Sequence, residues 1–170
     1  MITVKINDDA IHEALLRLAA GMSDMSRPMN DIGAALVRSS KSRIDEGVSP
    51  DGSAFAPLSQ VTLDAYANSR PPKVSQGPLK QSGDMQSQIF HDYGPAHAEV
   101  ASNAIQAAVM QFGAGAGAFG AHIGKDKRGR DHFHSIPWGD IPARPFLGVS
   151  EDDRDVIVEI VEEWLTDLAD

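Results

Sequence analysis

The sequence has 170 residues, no cysteine, and 24 acidic against 15 basic side chains, a formal net charge of −9. That length fits one domain whose core needs no covalent staple. The missing cysteine excludes thiol catalysis, cysteine zinc sites and disulfide chemistry, and the acid excess argues against a surface built to grip phosphates.

No apolar run approaches the ~18 residues of a membrane span. Residues 1–6 alternate rather than forming the apolar block of a signal peptide. A soluble protein made in the cytoplasm, with no membrane contact, is expected. Ile2, Val4 and Ile6 alternate with Thr3 and Lys5, which predicts a short strand. Asp8 or Asp9 can cap the helix that follows. In that helix Ile11, Leu15, Leu18 and Met22 recur as one apolar stripe.

Ser26 and Pro28 mark a second helix start. Its apolar face runs through Met29, Ile32, Leu36 and Ile44, and Gly47 ends it. Ser49-Pro50-Asp51-Gly52 is a turn, with proline presetting φ and glycine accepting a positive φ. Residues 53–78 hold four prolines and no sustained period, so an irregular arm with a short helix over 62–67 is expected. Residues 85–90 and 98–101 read as two strands joined by a turn at Tyr93-Gly94-Pro95-Ala96. Residues 104–112 are apolar and ambiguous between helix and strand. Residues 113–135 form the least regular stretch, predicted as a second arm.

Residues 141–148, Ile-Pro-Ala-Arg-Pro-Phe-Leu-Gly, are held extended by their two prolines. Ser150 then caps a last helix, with Glu151, Asp152 and Asp153 at the positive end of its dipole. Val156, Ile157, Ile160, Val161, Trp164, Leu165 and Leu168 give it an apolar face. The last twenty residues hold nine acids and one base, Arg154, so almost all of the net charge sits here. Two readings of Asp152, Asp155, Glu159, Glu162 and Glu163 stand side by side. One is an ordinary solvated face. The other is the wall of a channel for DNA, where negative charge keeps phosphates from sticking.

Other chemistry has thinner support. Gly115-Ala116-Gly117-Ala118-Phe119-Gly120 fits a dinucleotide fingerprint, but no helical period follows it. His122, His132 and His134, with Asp131, invite a metal-dependent hydrolase. His132 and His134 would share one face of a strand, yet no H-E-x-x-H and no cysteine accompanies them. Lys125, Lys127, Arg128 and Arg130 form a cationic stretch that would serve a nucleic-acid-binding module or an acidic protein neighbour. Asp126 and Asp131 dilute its field. No nucleophile elbow is present.

Taken in order, these pieces resemble the phage virion morphogenesis family, of the tail-completion protein S and phage Mu protein G type. The matching positions are Ile32-Gly33, Arg43-Ile44, Pro50-Asp51-Gly52 with Phe55, and Pro57-Leu58-Ser59 with Thr62. They continue through Leu79, Ser82-Gly83 and Ser87, then Ser102-Asn103 and Gln111-Phe112-Gly113. Pro142-Ala143-Arg144-Pro145-Phe146-Leu147-Gly148 is the most specific, and an acidic helix closes the chain. Gln106, Met110 and Met85 stand where the family usually has tyrosine, histidine and leucine.

The resemblance implies an α+β fold: N-terminal helices, a small mostly antiparallel sheet and a C-terminal amphipathic helix. One domain over residues 1–170 is expected, with irregular arms at about 53–78 and 113–135. It further implies a non-enzymatic virion subunit without cofactor or metal, a tail-completion, tail-terminator or neck protein joining head to tail. Copies would form a homo-oligomeric ring, expected sixfold, between head-completion proteins and the tail tube protein, with DNA passing through without specific binding. Gln111, Phe112, Lys125, Arg128, Arg144, Pro145 and Phe146 are candidate subunit or partner contacts. Phe146 has an internal alternative, packing under the last helix.

Overall fold

The computed structural model describes residues 9–118, 121–125, 131–135 and 140–169. The strand expected over residues 2–6 lies outside them, as does Asp8. Helices α1 (Asp9–Gly21) and α2 (Ser26–Glu46) open the chain. Helix α3 (Gln60–Ala67) and the single turn α4 (Asp84–Ser87) precede strands β1 (Ile89–Gly94) and β2 (His97–Ser102). Helix α5 (Ala107–Phe112), strands β3 (Ala121–Lys125) and β4 (Asp131–Ser135), and helix α6 (Glu151–Ala169) complete it. The α+β reading holds.

Helix α2 is the central beam, packed on the β1–β2 hairpin along one side and on α6 along another. Pro28 sits in its first turn, where its missing N–H costs nothing, and is buried. Gly47 stops it in the left-handed conformation with φ 75°, its N–H bonding the Arg43 carbonyl, a geometry that favours glycine. The chain then folds straight back. Gly52 N–H bonds the Ser49 carbonyl, Val48 bridges Ala54, and Phe55 N–H bonds the Gly47 carbonyl. This turn delivers the Phe55 ring to the core.

β1 and β2 pair antiparallel from Ile89↔Ser102 to Gly94↔His97, leaving Pro95 and Ala96 as the loop. The face carrying Ile89, His91 and Val100 lies under α2. The fit is closest at Gly33, where an added Cβ would stand 2.6 Å from the His91 ring. Asn30 Oδ1 holds that ring through Nε2 at 3.1 Å. The core gathers Ile44, Phe55, Met85, Ile89, Ala104 and Phe146, with Val37, Leu79 and Met110 at its margin. It therefore forms where α2, the hairpin, α5 and the extended 141–148 segment meet.

Several expectations are corrected. Residues 85–87 are a helical turn, not the start of a strand. Met85, Ser87 and Ile89 imitate a period of two, but Gly83 at φ 76° turns the chain into a helical turn that inserts Met85 into the core. Within residues 104–112, Ala107–Phe112 form a short helix, and α3 starts two residues early, capped by Ser59. Asp9 is already inside α1. The stripe of α1 is mostly unburied: Ile11, Leu15 and Met22 are exposed and only Leu18 is half-buried. Among the described residues its one substantial helix neighbour is α6, met at Gly21 against Leu168 and at Arg17, which bonds the Ala169 carbonyl. One neighbour covers one side. Within residues 113–135, β3 and β4 pair antiparallel, a ribbon that Gly124 and scattered charge hide from a period-two reading.

Gly33→Ala tests the α2–hairpin seam. The added methyl must displace His91 from Asn30, so a loss of about 1–3 kcal/mol is expected, measured as a lowered urea midpoint with unchanged slope.

Candidate functional site: a buried clamp and an acidic helix face

Residues 141–148 run along the subunit without a strand partner along their length, with Arg144 and Phe146 buried and Pro142, Ala143 and Gly148 exposed. Backbone groups buried in this way need partners, and side chains supply them. Gln111 Oε1 accepts from the N–H groups of Phe146 and Leu147, both at 3.1 Å, while its Nε2 donates to the Leu147 carbonyl at 2.9 Å. One amide thus reproduces the pairing of an absent strand. Arg144 N–H bonds the Met110 carbonyl, and Ala114 bridges Ile141. Gly113 makes this approach possible: at φ 73° and ψ 177° it occupies a region essentially reserved for glycine. A Cβ there would lie 2.8 Å from the Ile141 oxygen.

Two buried arginines complete the clamp. Arg144 Nε donates to the Ala56 carbonyl at 2.7 Å and its Nη2 to the Pro57 carbonyl at 2.8 Å. It thereby ties 141–148 to the loop after Phe55. Burial lowers its pKa from the ordinary value. Arg43, on α2, donates to the carbonyls of Phe146 and Gly148 at 3.3 and 3.0 Å and to Ser39 Oγ at 2.8 Å. It also ion-pairs with Asp153, and both side chains are under one-tenth exposed.

Asp153 has a second duty. Its Oδ2 accepts from Ser150 N–H at 2.8 Å while Ser150 Oγ accepts from Asp153 N–H at 3.2 Å. This reciprocal pair is a capping box that starts α6. Burial raises the Asp153 pKa, but the Ser150 N–H, the Ser39 and Ser150 hydroxyls and the Arg43 charge outweigh it, leaving the carboxyl below its ordinary 3.8.

The remaining acids of α6 face outward. Asp152, Asp155, Glu159, Glu162 and Glu163 are all exposed. At 100° per residue they share one side of the helix, opposite buried Trp164, over roughly 16 Å of axis.

The structure sorts the sequence candidates. Arg144 and Phe146 lie inside the subunit. Phe146 is wholly buried, but it packs with Ile44, Phe55, Met85, Ile89 and Ala104 rather than under the last helix, and Arg144 donates to carbonyls of its own subunit. Pro145 is half-buried, and Gln111 is engaged with Leu147. Among the candidates whose burial the structure describes, Phe112 alone is open to solvent, 80 % exposed, close in sequence to Ile105 at 97 %. Lys125 ends β3, and Arg128 lies outside the described residues, as do Lys127 and Arg130. In the β3–β4 register His122 stands opposite His134. Among the described residues no three histidine or acidic side chains gather to hold a metal. The glycine run at 115–118 is a turn between α5 and β3, with Ala116 N–H on Asp140. A dinucleotide loop needs a strand before it and a helix after it, and this segment has neither.

Sequence reading missed the Arg43–Asp153 pair. Two signals were present: Arg43 falls on the apolar side of α2, eleven residues after Ile32, and Ser150-x-x-Asp153 has capping-box spacing.

The sequence model of the phage virion morphogenesis family matches residues 6–166. The chain belongs to the phage virion morphogenesis family. A search of the curated proteins and a search of the solved structures returned no match. Membership makes this a bacteriophage protein of virion morphogenesis, and the matched range spans the whole clamp.

Asp153→Asn leaves Arg43 buried without a counter-charge and is expected to cost about 3–5 kcal/mol. Because the folded carboxyl titrates below 3.8, its contribution is complete above that pH and fades as pH falls through the lowered folded value. Unfolding midpoints between pH 7 and pH 3 should show this acid loss in the wild type, and the variant should lack that component. Gln111→Ala strands two N–H groups and a carbonyl, for an expected loss of about 2–4 kcal/mol in the same assay.

Proposed function

We propose that this protein is a non-enzymatic ring subunit at the head–tail junction of a tailed phage, acting in tail completion, tail termination or the neck. The outward acidic face of α6 carries this reading. Six copies would turn that face toward the axis, presenting a wall that repels DNA phosphates and lets the duplex slide through without specific binding. One side of the ring would meet head-completion proteins and the other the tail tube protein.

The surface supports this. A ring needs heterologous contacts, one patch meeting a different patch on the next copy. Ile11, Leu15, Leu16 and Met22 of α1 are exposed, as are Ile105 and Phe112 beside α5. Clusters of exposed apolar side chains mark contact surfaces.

The purified protein, alone or with its head-completion and tube neighbours, is expected to form rings visible by electron microscopy and light scattering. A strict monomer under all these conditions would count against the reading. Wild-type rings should show no DNA binding at low salt. The triple variant Asp155→Lys, Glu159→Lys, Glu162→Lys should still assemble but retain DNA, with an affinity that falls as salt rises, by ~0.9 log units per phosphate contact per tenfold change in salt. Rings whose DNA retention is unaltered by the reversal would remove the channel assignment.

A further inference from the structure

Residues 60–78 find little cover in their own subunit. Helix α3 packs closely on no other described helix or strand and buries none of its side chains. A helix that short is marginal in water without packing. From residue 70 to residue 76 every side chain is exposed, Val74 at 84 %. The segment is nonetheless shaped. Lys73 N–H bonds the Tyr66 carbonyl at 3.0 Å, and the Gln81 amide accepts from Gln76 N–H and donates to the Val74 carbonyl, both at 3.3 Å. Pro71 and Pro72 stiffen it further, so fixing it on a partner costs little chain entropy.

Its charge has one sign. Between Asp64 and Asp84 the sequence has three bases and no acid. Lys80 pairs with Asp45 of its own subunit at 2.6 Å, and Arg70 and Lys73 are exposed on either side of the two prolines. The opposite sign lines a groove between α2, the turn at 48–52 and the first turns of α6. Glu46, Asp51, Glu151 and Asp152 are exposed there, against Arg38 and Arg154. Arg154 already pairs with Glu151, and the buried Arg43–Asp153 pair is neutral. Leu36, Val149, Val156 and Ile157 add apolar surface, with Val149 46 % and Val156 39 % exposed. None of residues 60–78 lines this groove in its own subunit. One chain thus carries a stiff cationic arm and, elsewhere, an acidic groove, which is what a heterologous contact between copies requires.

We propose that residues 70–76 of one copy dock into the α2–α6 groove of the next, with Val74 and the two prolines on its apolar surface and Arg70 and Lys73 against its acids. The inference rests on the ring reading above and names one contact of that ring.

Charge reversal on the full chain tests this. Arg70→Glu with Lys73→Glu, or Glu46→Lys with Asp152→Lys, should each weaken assembly roughly tenfold, read by light scattering as a raised concentration for ring formation. Mixing the two variants one to one should restore it, because each altered arm then meets an altered groove and each native arm a native one. All four residues are exposed, and a circular-dichroism spectrum matching the wild type confirms folding. A second measurement leaves the charges alone. The chain has no cysteine, so Val74→Cys carries a benzophenone at a single site, and in assembled protein it should crosslink to residues 35–52 or 149–157 of another copy. Rings whose assembly ignores the reversals, variants that mixing does not rescue, or crosslinks that fall on α1 or α5 overturn the inference and leave the ring reading standing. Crosslinks formed only to tube protein also overturn it, assigning the arm to that partner. A protein that never assembles overturns both.

Discussion

The guanidinium of Arg43 is out of water, and everything around it follows from the need to satisfy it. It reaches the carboxylate of Asp153 at the start of α6, the carbonyls of Phe146 and Gly148 in the extended segment, and the Ser39 hydroxyl one turn back on α2. A buried ion pair gains little net stability over a well-packed apolar pair, because desolvating two charges costs about what their attraction returns. Its effect here is positional. An apolar contact tolerates sliding, whereas this one is satisfied only if α2, residues 146–148 and the first turn of α6 keep one mutual arrangement.

That arrangement gives a structural role to the residues by which the sequence resembles the family. Helices satisfy their own backbone groups and so accept many sequences on their surfaces. Residues 141–148 do not, since they bury Arg144 and Phe146 without a ladder. Every buried polar group there depends on a particular side chain or close approach: Gln111 for Phe146 and Leu147, Gly113 for the contact at Ile141, and Arg144 for the carbonyls of Ala56 and Pro57. Phe55 and Phe146 then close the apolar side. A signature of Arg, Gln, Gly and Pro around two phenylalanines is what an irregular core requires, with no catalytic role needed to account for it.

Legibility in the sequence follows the range of the interactions. Helices α2 and α6 could be read because caps and a 3.6-residue period are local: Pro28, Gly47 and Ser150 act where the sequence places them. The hairpin turn was legible from Gly94-Pro95. Met85 misled because alternation with Ile89 is also what a helical turn followed by a strand produces. Arg144 misled because an arginine between prolines is ordinarily exposed, and its carbonyl partners lie 87 and 88 residues earlier. The Arg43–Asp153 pair spans 110 residues, so neither partner announces the other. For α1 the helix was legible but its burial was not, since an apolar stripe does not say whether its cover comes from the same chain.

Helix α6 joins the inner and outer halves of the argument. Two groups of its acids point in different directions. Asp153 points inward to Arg43, whereas the stripe through Asp152, Asp155, Glu159, Glu162 and Glu163 is centred about 130° away around the axis. Because the buried pair fixes the rotation of the helix, it also fixes where the stripe points. Substituting Asp153 would therefore do more than destabilise the fold. It would remove one of the contacts that, with buried Trp164 and the Arg27–Asp167 pair, hold the direction of the charged face. If copies surround an axis, the same buried contact repeated in each subunit aligns their acidic faces, so one internal ion pair sets the electrostatics of the whole assembly.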